Sequence, residues 1–419
     1  MTRKRCSHCL HLLPPKQVKY HLNTCRKRRR CKDPDEKCEK DLSTCGEEEF
    51  GFESLNLDVM ELVFSRLNDP VTRIRFSAVC RFWRWVARHC STPQFPWLKL
   101  QHDCESDYIF FNLSDGMTHT FHVPGPKGLV CSGSFEGWLV MQTPFRFRKK
   151  EIFLVDPLSK VKIHLPVTTI NDSDNRQTVL LPPMFVFYLS SAPISIDGAI
   201  NNNCLVAAID VMSNDLYLCR LGDQSWTRQY FTNVKHFNFE EIIFCDGLII
   251  AIDSWAMKRV KILELVLESD HHLRLKAKRH FLPLPLFGVY DDDRDPTCCS
   301  NPFKWREELY LVFHEFRIVS GKFKTVAFHV FKLDSRWKLL KVKNIEDGVI
   351  FLVTDVPKCF SVRDFPPSLN LKRNCIYYKV PGSSAIDIFC LEDGKWEPCP
   401  SLSSHQRGRY VWYTPKIFY

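Results

Sequence analysis

Apolar positions follow two different rhythms along this chain. Between residues 55 and 90, in LNLDVMELVFSRLNDPVTRIRFSAVCRFWRWVARHC, they return every three or four residues, a period that predicts amphipathic helices. Val59, Leu62, Val63 and Leu67 fall on one helix face, and Ile74, Ala78, Val79, Phe82 and Val86 form a second stripe flanked by Arg73, Arg75, Arg81 and Arg84. Asp58, with Glu61 three residues on, predicts a helix start through a capping-box-like exchange of hydrogen bonds. Asp69 and Pro70 predict a second start, with Asp as the cap and Pro at the first helical position, where its missing N–H costs nothing. Two or three short helices result. A segment of this length cannot bury every apolar face internally, so its leftover face needs a partner, either the chain's own C-terminal region or another subunit.

From about residue 105 to the end the rhythm changes to short apolar runs separated by turn residues, which predicts strands. The runs recur as a phrase. GWLVMQ (137–142), CLVAAID (204–210), GLIIAID (247–253), ELYLVF (308–313) and CIYYKV (375–380) are each followed by a second run. Those are EIFLVDPLSK (151–160), DLYLCRLGDQSW (215–226), RVKILELV (259–266), FHVFKLDSRW (328–337) and DIFCLEDGKW (387–396). Leu139, Val206, Leu248, Leu311 and Ile376 lie at intervals of 67, 42, 63 and 65 residues. One such unit exposes sheet faces that only stacking against further units covers, which is the physical logic of a β-propeller. Trp226, Trp337 and Trp396 then pack between neighbouring blades. A sandwich needs fewer residues, and a βαβ architecture needs amphipathic helices that the pattern lacks. The WD dipeptide and the Gly-Gly of kelch blades are both absent. RYVWYTPKIFY near the end predicts a strand that closes the ring on the first blade, around Tyr108 to Phe121.

Charge divides the chain further. Of 58 Lys and Arg, 11 lie in residues 1–32, where no Asp or Glu occurs, leaving 47 against 48 acidic residues elsewhere. The basic excess is therefore one N-terminal device, and the body is neutral. Residues 33–54 hold nine acidic residues against Lys37 and Lys40, with little apolar content, and read as a linker. Nineteen cysteines in 419 residues fall below the density of a disulfide scaffold and are odd in number, so reduced thiols are expected. MTRKRCSHC lacks the apolar stretch of a secretory signal, which points to the nucleus or cytoplasm. A long charge-free stretch, Thr178 to Ile196, is interrupted by Pro182, Pro183 and Pro193. It is expected to form buried strands and a loop, with no membrane contact.

Within residues 1–32, Cys6, Cys9, His21 and Cys25 follow the pattern C-x2-C-x11-H-x3-C. Four soft ligands so spaced suit a tetrahedral structural zinc, and metal binding would fold a segment too small to fold on burial alone. Leu13 and Val18 supply a miniature core. The segment resembles a single Cys-Cys-His-Cys zinc finger; a disordered Cys-rich tail is the other reading. Arg26, Lys27, Arg28, Arg29 and Arg30 form a run suited to nuclear import or to a polyanion. A second functional reading follows from this end alone: a nuclear zinc-finger protein associating with nucleic acid through its basic N-terminus.

The helical segment resembles the F-box family. Leu55, Leu57-Asp58, Ser65-Arg66-Leu67 and Val79-Cys80-Arg81-Phe82-Trp83 match its pattern, with Asn56 standing where the family usually has Pro. The resemblance implies binding to the Skp adaptor of a cullin-RING ubiquitin ligase. It implies Leu55, Asp58, Val59, Leu62, Val63, Leu67, Val79, Cys80 and Trp83 as residues that form or support the adaptor-facing surface, with Cys80 a small buried hydrophobe. The remainder resembles plant F-box proteins with a C-terminal KIB-type β-propeller, through CSGSFEGWLV (131–140), DPLSKVKIHLP (156–166) and CIYYKV.

The expected architecture is mainly β: a C-terminal β-propeller over 105–419, preceded by an F-box over 55–90, an acidic linker and a zinc-finger-like segment. The expected function is substrate recognition within a Skp-cullin-F-box ubiquitin ligase, the propeller holding an unidentified protein target. Catalysis is not expected, because no Walker loop, dinucleotide fingerprint, HExxH or GxSxG elbow occurs. Asp291 to Asp295 lack the spacing of a calcium loop, His271-His272 read as solvated, and Cys298-Cys299 read as a loop without an activating base.

Overall fold

A computed structural model describes residues 56–67, 70–90, 96–100, 107–112, 117–122, 128–144, 150–170, 177–179, 185–195, 198–231, 234, 236–253, 259–268, 273–283, 297–319, 322–352, 357–365, 367–379, 386–399 and 410–415. Two compact units divide the chain between Thr92 and Pro93. The first is helical and is described with the functional site.

The second unit is a six-bladed β-propeller. The first blade joins both ends of the ring: β1 (Trp97–Leu100), β2 (Asp107–Asn112) and β3 (Thr118–His122) pair with β27 (Tyr410–Tyr413) in the order β27-β1-β2-β3. The second is β4 (Val130–Phe135), β5 (Trp138–Gln142), β6 (Ile152–Val155) and β7 (Lys162–Leu165). A hairpin of β8 (Thr168–Ile170) and β9 (Gln177–Val179) extends the third blade, itself β10 (Phe185–Leu189), β11 (Leu205–Asp210), β12 (Asp215–Arg220) and β13 (Trp226–Arg228). The fourth is β14 (Glu241–Cys245), β15 (Leu248–Asp253), β16 (Arg259–Leu267) and β17 (Leu275–Pro283). The fifth is β18 (Thr297–Trp305), β19 (Glu308–Val319), β20 (Lys322–Leu333) and β21 (Leu339–Val342). The sixth carries β22 (Gly348–Leu352), β23 (Lys358–Ser361), β24 (Cys375–Lys379), β25 (Ile386–Cys390) and β26 (Trp396–Pro398) in the order β23-β22-β24-β25-β26. Among the described strands pairing is antiparallel except where β8 meets β13 and β22 meets β24.

The innermost strands meet in succession, β27 with β4, β4 with β10, β10 with β14, β14 with β18 and β18 with β23. At one of these meetings a Cβ on Gly133 would stand 3.1 Å from the Phe187 carbonyl oxygen, so a side chain there would push β4 and β10 slightly apart. Between blades the apolar faces close into separate cores. Trp138, Val140 and Leu154 of the second blade pack with Phe187, Val206 and Trp226 of the third. Phe351 and Tyr377 of the sixth pack with Leu98 and Trp412 of the first.

All three tryptophans singled out by the repeated phrase lie at blade boundaries. The Trp226 indole donates to the Pro166 carbonyl at 2.7 Å, linking the third blade to the segment leaving the second. Trp337 stacks on His280 of the fourth blade with ring centroids 3.9 Å apart. Trp396 donates to the Val326 carbonyl of the fifth blade at 3.1 Å. The expected closing strand is β27, pairing antiparallel with β1 through Trp97↔Tyr413 and Leu100↔Tyr410. The ring therefore takes in Trp97–Leu100, upstream of the residue 105 at which the strand rhythm begins. Cys298 and Cys299, expected in a loop, lie on β18 opposite Glu315 and His314, because the strand continues past its Pro302. No helix among the described residues is long and apolar enough to cross a membrane.

Candidate functional site

The helical unit contains α1 (Leu57–Ser65), α2 (Pro70–Ser77) and α3 (Arg81–His89). Asn56 caps α1: its side-chain oxygen accepts from the Asp58 amide at 3.3 Å, and its carbonyl accepts from Val59 and Met60, both at 3.1 Å. The residue that departs from the F-box pattern is thus one of the side chains best suited to satisfying free amides at a helix start. The expected Asp58/Glu61 exchange does not form. The helix begins one residue before Asp58, which places that side chain in the exposed first turn, and Glu61 instead meets Cys90 beyond α3. Burial, followed by this nearby carboxylate, pushes the Cys90 thiol up. Pro70 opens α2 as expected; Asp69 lies outside the described residues.

Helical periodicity splits α1 into two faces. Met60 and Phe64 turn inward and are fully buried. Phe64 meets Phe76 of α2 at 5.1 Å between ring centroids, and Phe76 meets Trp83 of α3 at 4.3 Å. Ile74, Val86 and Ala87 complete the buried set. The Arg73 guanidinium lies 5.1 Å from the Phe64 ring centroid and donates through Nε to the Leu67 carbonyl. Burial holds its pKa below the ordinary guanidinium value. The opposite face of α1 presents Val59, Leu62 and Val63, exposed to 43%, 51% and 40%. Three large aliphatic side chains one helical turn apart make a ridge that can enter an apolar groove, the helix-in-groove mode of protein recognition.

The residues implied by the F-box resemblance therefore divide. Val59, Leu62 and Val63 share the exposed face, with Asp58 exposed at its start. Trp83 stacks inward on Phe76, while Leu67, Val79 and Cys80 are half-buried, Cys80 as the residue preceding α3. These side chains support the module more than they face outward. Leu55 lies outside the described residues, as do Cys6, Cys9, His21, Cys25 and the run Arg26, Lys27, Arg28, Arg29 and Arg30. Trp85, exposed to 43%, escaped the periodicity reading. Its neighbour four residues on was the available signal: the His89 ring lies 4.0 Å away, and His89 Nδ1 sits 2.8 Å from the Trp85 carbonyl oxygen.

Within the propeller the described groups are mostly structural. The Lys358 ammonium on β23 donates to the Trp412 carbonyl at 3.2 Å and reaches Ser134 and Thr414 hydroxyls at 3.4 Å, tying three innermost strands together. Asp347 accepts from Arg306 at 2.6 Å and from the Ser361 hydroxyl at 2.7 Å, joining the fifth and sixth blades. That hydroxyl, ahead of the opposing effect of burial and then the Arg306 charge, holds the Asp347 carboxyl below the usual carboxylate range. Val211 and Met212 project from the turn between β11 and β12 as exposed apolar side chains. Among the described residues no group of three or more His, Cys, Asp or Glu side chains is arranged to hold a metal ion.

Comparison with known proteins bears on the second unit. A family model described as the KIB1-4 beta-propeller matches residues 110–410. An F-box protein of Arabidopsis thaliana is 26% identical over 207 residues, covering 47% of this chain and 50% of that protein. The chain thus spans about half the length of this curated relative. Among solved structures, AztD of Citrobacter koseri aligns with 77% of this chain and 98% of its own at 10% identity and a TM-score of 0.29. A putative 6-phosphogluconolactonase of Bacteroides fragilis aligns with 77% and 98% at 11% identity and a TM-score of 0.31. Likenesses of that size add nothing to the strand order already described.

Proposed function

Because the chain belongs to the KIB1-4 β-propeller family, we propose that it is the substrate-recognition subunit of a Skp-cullin-F-box ubiquitin ligase. The helical unit binds the Skp adaptor and the propeller binds the protein to be modified. The observation that carries this reading is the ridge of Val59, Leu62 and Val63, left exposed on α1 while Met60 and Phe64 close the core behind it. A free module gains nothing from three aliphatic side chains in water, whereas burying them against a partner's apolar groove releases the cost of their hydration. The F-box protein of Arabidopsis thaliana among its relatives supports the same reading.

In this role the chain supplies no reacting group of its own. The charging enzyme and the RING subunit carry the ubiquitin chemistry, and the propeller raises the effective concentration of the target lysine near the activated thioester. The proposed setting is the nucleus or cytoplasm, where the reduced thiols of the described cysteines would persist.

Co-expression of the full chain with a Skp adaptor tests the proposal. The wild type is expected to co-purify as a stoichiometric complex, and Leu62→Asp to lose the adaptor while retaining wild-type circular dichroism and melting. Adaptor retention by folded Leu62→Asp, or failure of the folded wild type to bind, overturns it.

A further inference from the structure

Cys375 on β24 and Cys390 on β25 are directly opposite each other in an antiparallel pair, and both are free thiols. The local ladder fixes which kind of pair this is. The Leu391 amide donates to the Asn374 carbonyl, so 374 and 391 form a hydrogen-bonded pair and the next pair inward, Cys375 with Cys390, is non-hydrogen-bonded. Opposite side chains come closest at such pairs, with Cα atoms about 4.5 Å apart, at the near end of the Cα range of about 4.4–6.8 Å that disulfides span. Both side chains turn to the core between the sixth and first blades, where Cys375 is buried and Cys390 packs at its margin. The Cys375 thiol donates to the Arg373 carbonyl at 3.2 Å, and Cys390 is the neighbour that, after burial, adds to the rise of its pKa.

From this geometry we infer that Cys375 and Cys390 are a redox modification site: a hydroperoxide converts the pair into a cross-strand disulfide that staples β24 to β25. The half-buried Cys390 is the thiol that meets the oxidant. Its sulfur attacks one peroxide oxygen, the O–O bond breaks, and the departing oxygen takes up the thiol proton as water, leaving a sulfenic acid. The Cys375 sulfur then attacks the Cys390 sulfur, the S–O bond breaks, and hydroxide leaves with the second thiol proton as another water. Two thiols and one hydrogen peroxide thus give one disulfide and two waters. Burial pushes the Cys375 thiol up to about 12, so it stays protonated and does not attack peroxide first; its part in the second step rests on its position directly opposite Cys390. The inference does not depend on the proposed ligase role.

Trypsin supplies a direct test on the full chain, because cleavage after Arg373, Lys379 and Lys395 puts the two cysteines on separate peptides with one cysteine each. The folded, reduced protein is treated with hydrogen peroxide, quenched in acid with an alkylating agent, digested and analysed by mass spectrometry. The expected product is peptide 374–379 joined to peptide 380–395, two hydrogens lighter than their sum and released by dithiothreitol. Cys390→Ser and Cys375→Ala each remove it, and in Cys375→Ala the Cys390 sulfenic acid accumulates and is captured by dimedone. Three outcomes overturn the inference. Both thiols remain alkylatable while other cysteines oxidise, Cys390 passes to sulfinic acid with Cys375 still free, or either cysteine links instead to Cys399 in the following peptide.

Discussion

Trp412→Ala tests whether the short C-terminal strand holds the ring closed. Only four residue pairs join β27 to β1, so backbone hydrogen bonds alone make a modest seam. Side-chain burial does more: Trp412 is fully buried, packs with Leu98 and meets Phe351 edge-on with ring centroids 5.2 Å apart and planes at 70°. It is thus the wedge between the last blade and the first. Truncating a buried tryptophan to alanine costs about 3–5 kcal/mol, because the lost transfer energy is joined by the energy of the cavity left behind. Opening the seam also exposes the flanks of two blades, so the loss falls on the whole propeller and not on one strand. Against a typical domain stability of about 5–15 kcal/mol, a loss near 4 lowers the midpoint by roughly 6 °C for a unit of this size. Urea titration of the full chain, followed by tryptophan fluorescence and far-ultraviolet circular dichroism, measures it. The exposed Trp85→Ala is the control and is expected to change stability by no more than about 0.5 kcal/mol. A loss below about 1 kcal/mol for Trp412→Ala, or a transition confined to one probe, refutes the wedge argument.

Three further outcomes are expected. His314, packed among Phe316, Phe328 and Tyr378 and bonded to the Thr325 hydroxyl at 2.9 Å, is pushed down to about 4 by burial. Its folded pKa lies below an unfolded value of about 6.5, so its contribution is complete above pH 6.5 and declines as pH falls toward 4. The difference is worth up to about 3 kcal/mol. His314→Gln, which keeps a partner for Thr325, should flatten that part of the urea-midpoint profile, and an unchanged slope counts against it. Asn56→Ala removes the α1 cap and should cost about 1 kcal/mol in the helical unit, whereas Asn56→Ser should cost a few tenths, read from amide exchange in α1. Elemental analysis of the purified full chain should find one zinc, lost in a Cys6→Ser, Cys9→Ser double variant without change in the melting of the propeller; a metal-free wild type purified with added zinc would remove Cys6, Cys9, His21 and Cys25 from consideration as ligands.

The repeated phrase of the sequence corresponds to one particular part of each blade. Four of the five first runs became the second strand from the axis, β5, β11, β15 and β19, and their following runs became the third; in the sixth blade, where β23 and β22 lie inside them, the two runs became the third and fourth strands, β24 and β25. Middle strands are covered on both faces, so they read as continuous apolar runs, and β5, β6, β22 and β24 are buried at every position. Innermost and outermost strands carry a weaker signal. VCSGSF of β4 mixes small polar residues because it approaches β10 closely at Gly133, and KCFS of β23 spends its lysine on carbonyl and hydroxyl partners across the ring. The first blade was the least legible because its strands come from both ends of the sequence, and a local repeat does not register a sheet assembled across more than 300 residues.

The helical unit shows a limit of a different kind. Periodicity placed Val59, Leu62 and Val63 on one face, and that face exists, but periodicity does not say which of two apolar faces turns inward. On α1 that choice depends on ring shape: Phe64 fits against Phe76, which fits against Trp83, and α1 is thereby rotated to put Met60 inside and Leu62 outside. The same packing explains why Trp83 belongs to the support and Leu62 to the ridge, although one sequence pattern contains both. A substitution at Phe76 should therefore disturb partner binding indirectly, through the rotation of α1, whereas one at Leu62 should disturb it without moving the helix. Comparing amide exchange in α1 for Phe76→Leu and Leu62→Ala separates the two: faster exchange is expected in the first and wild-type exchange in the second. Equal protection in both would mean that the aromatic stack does not set which face of α1 is presented.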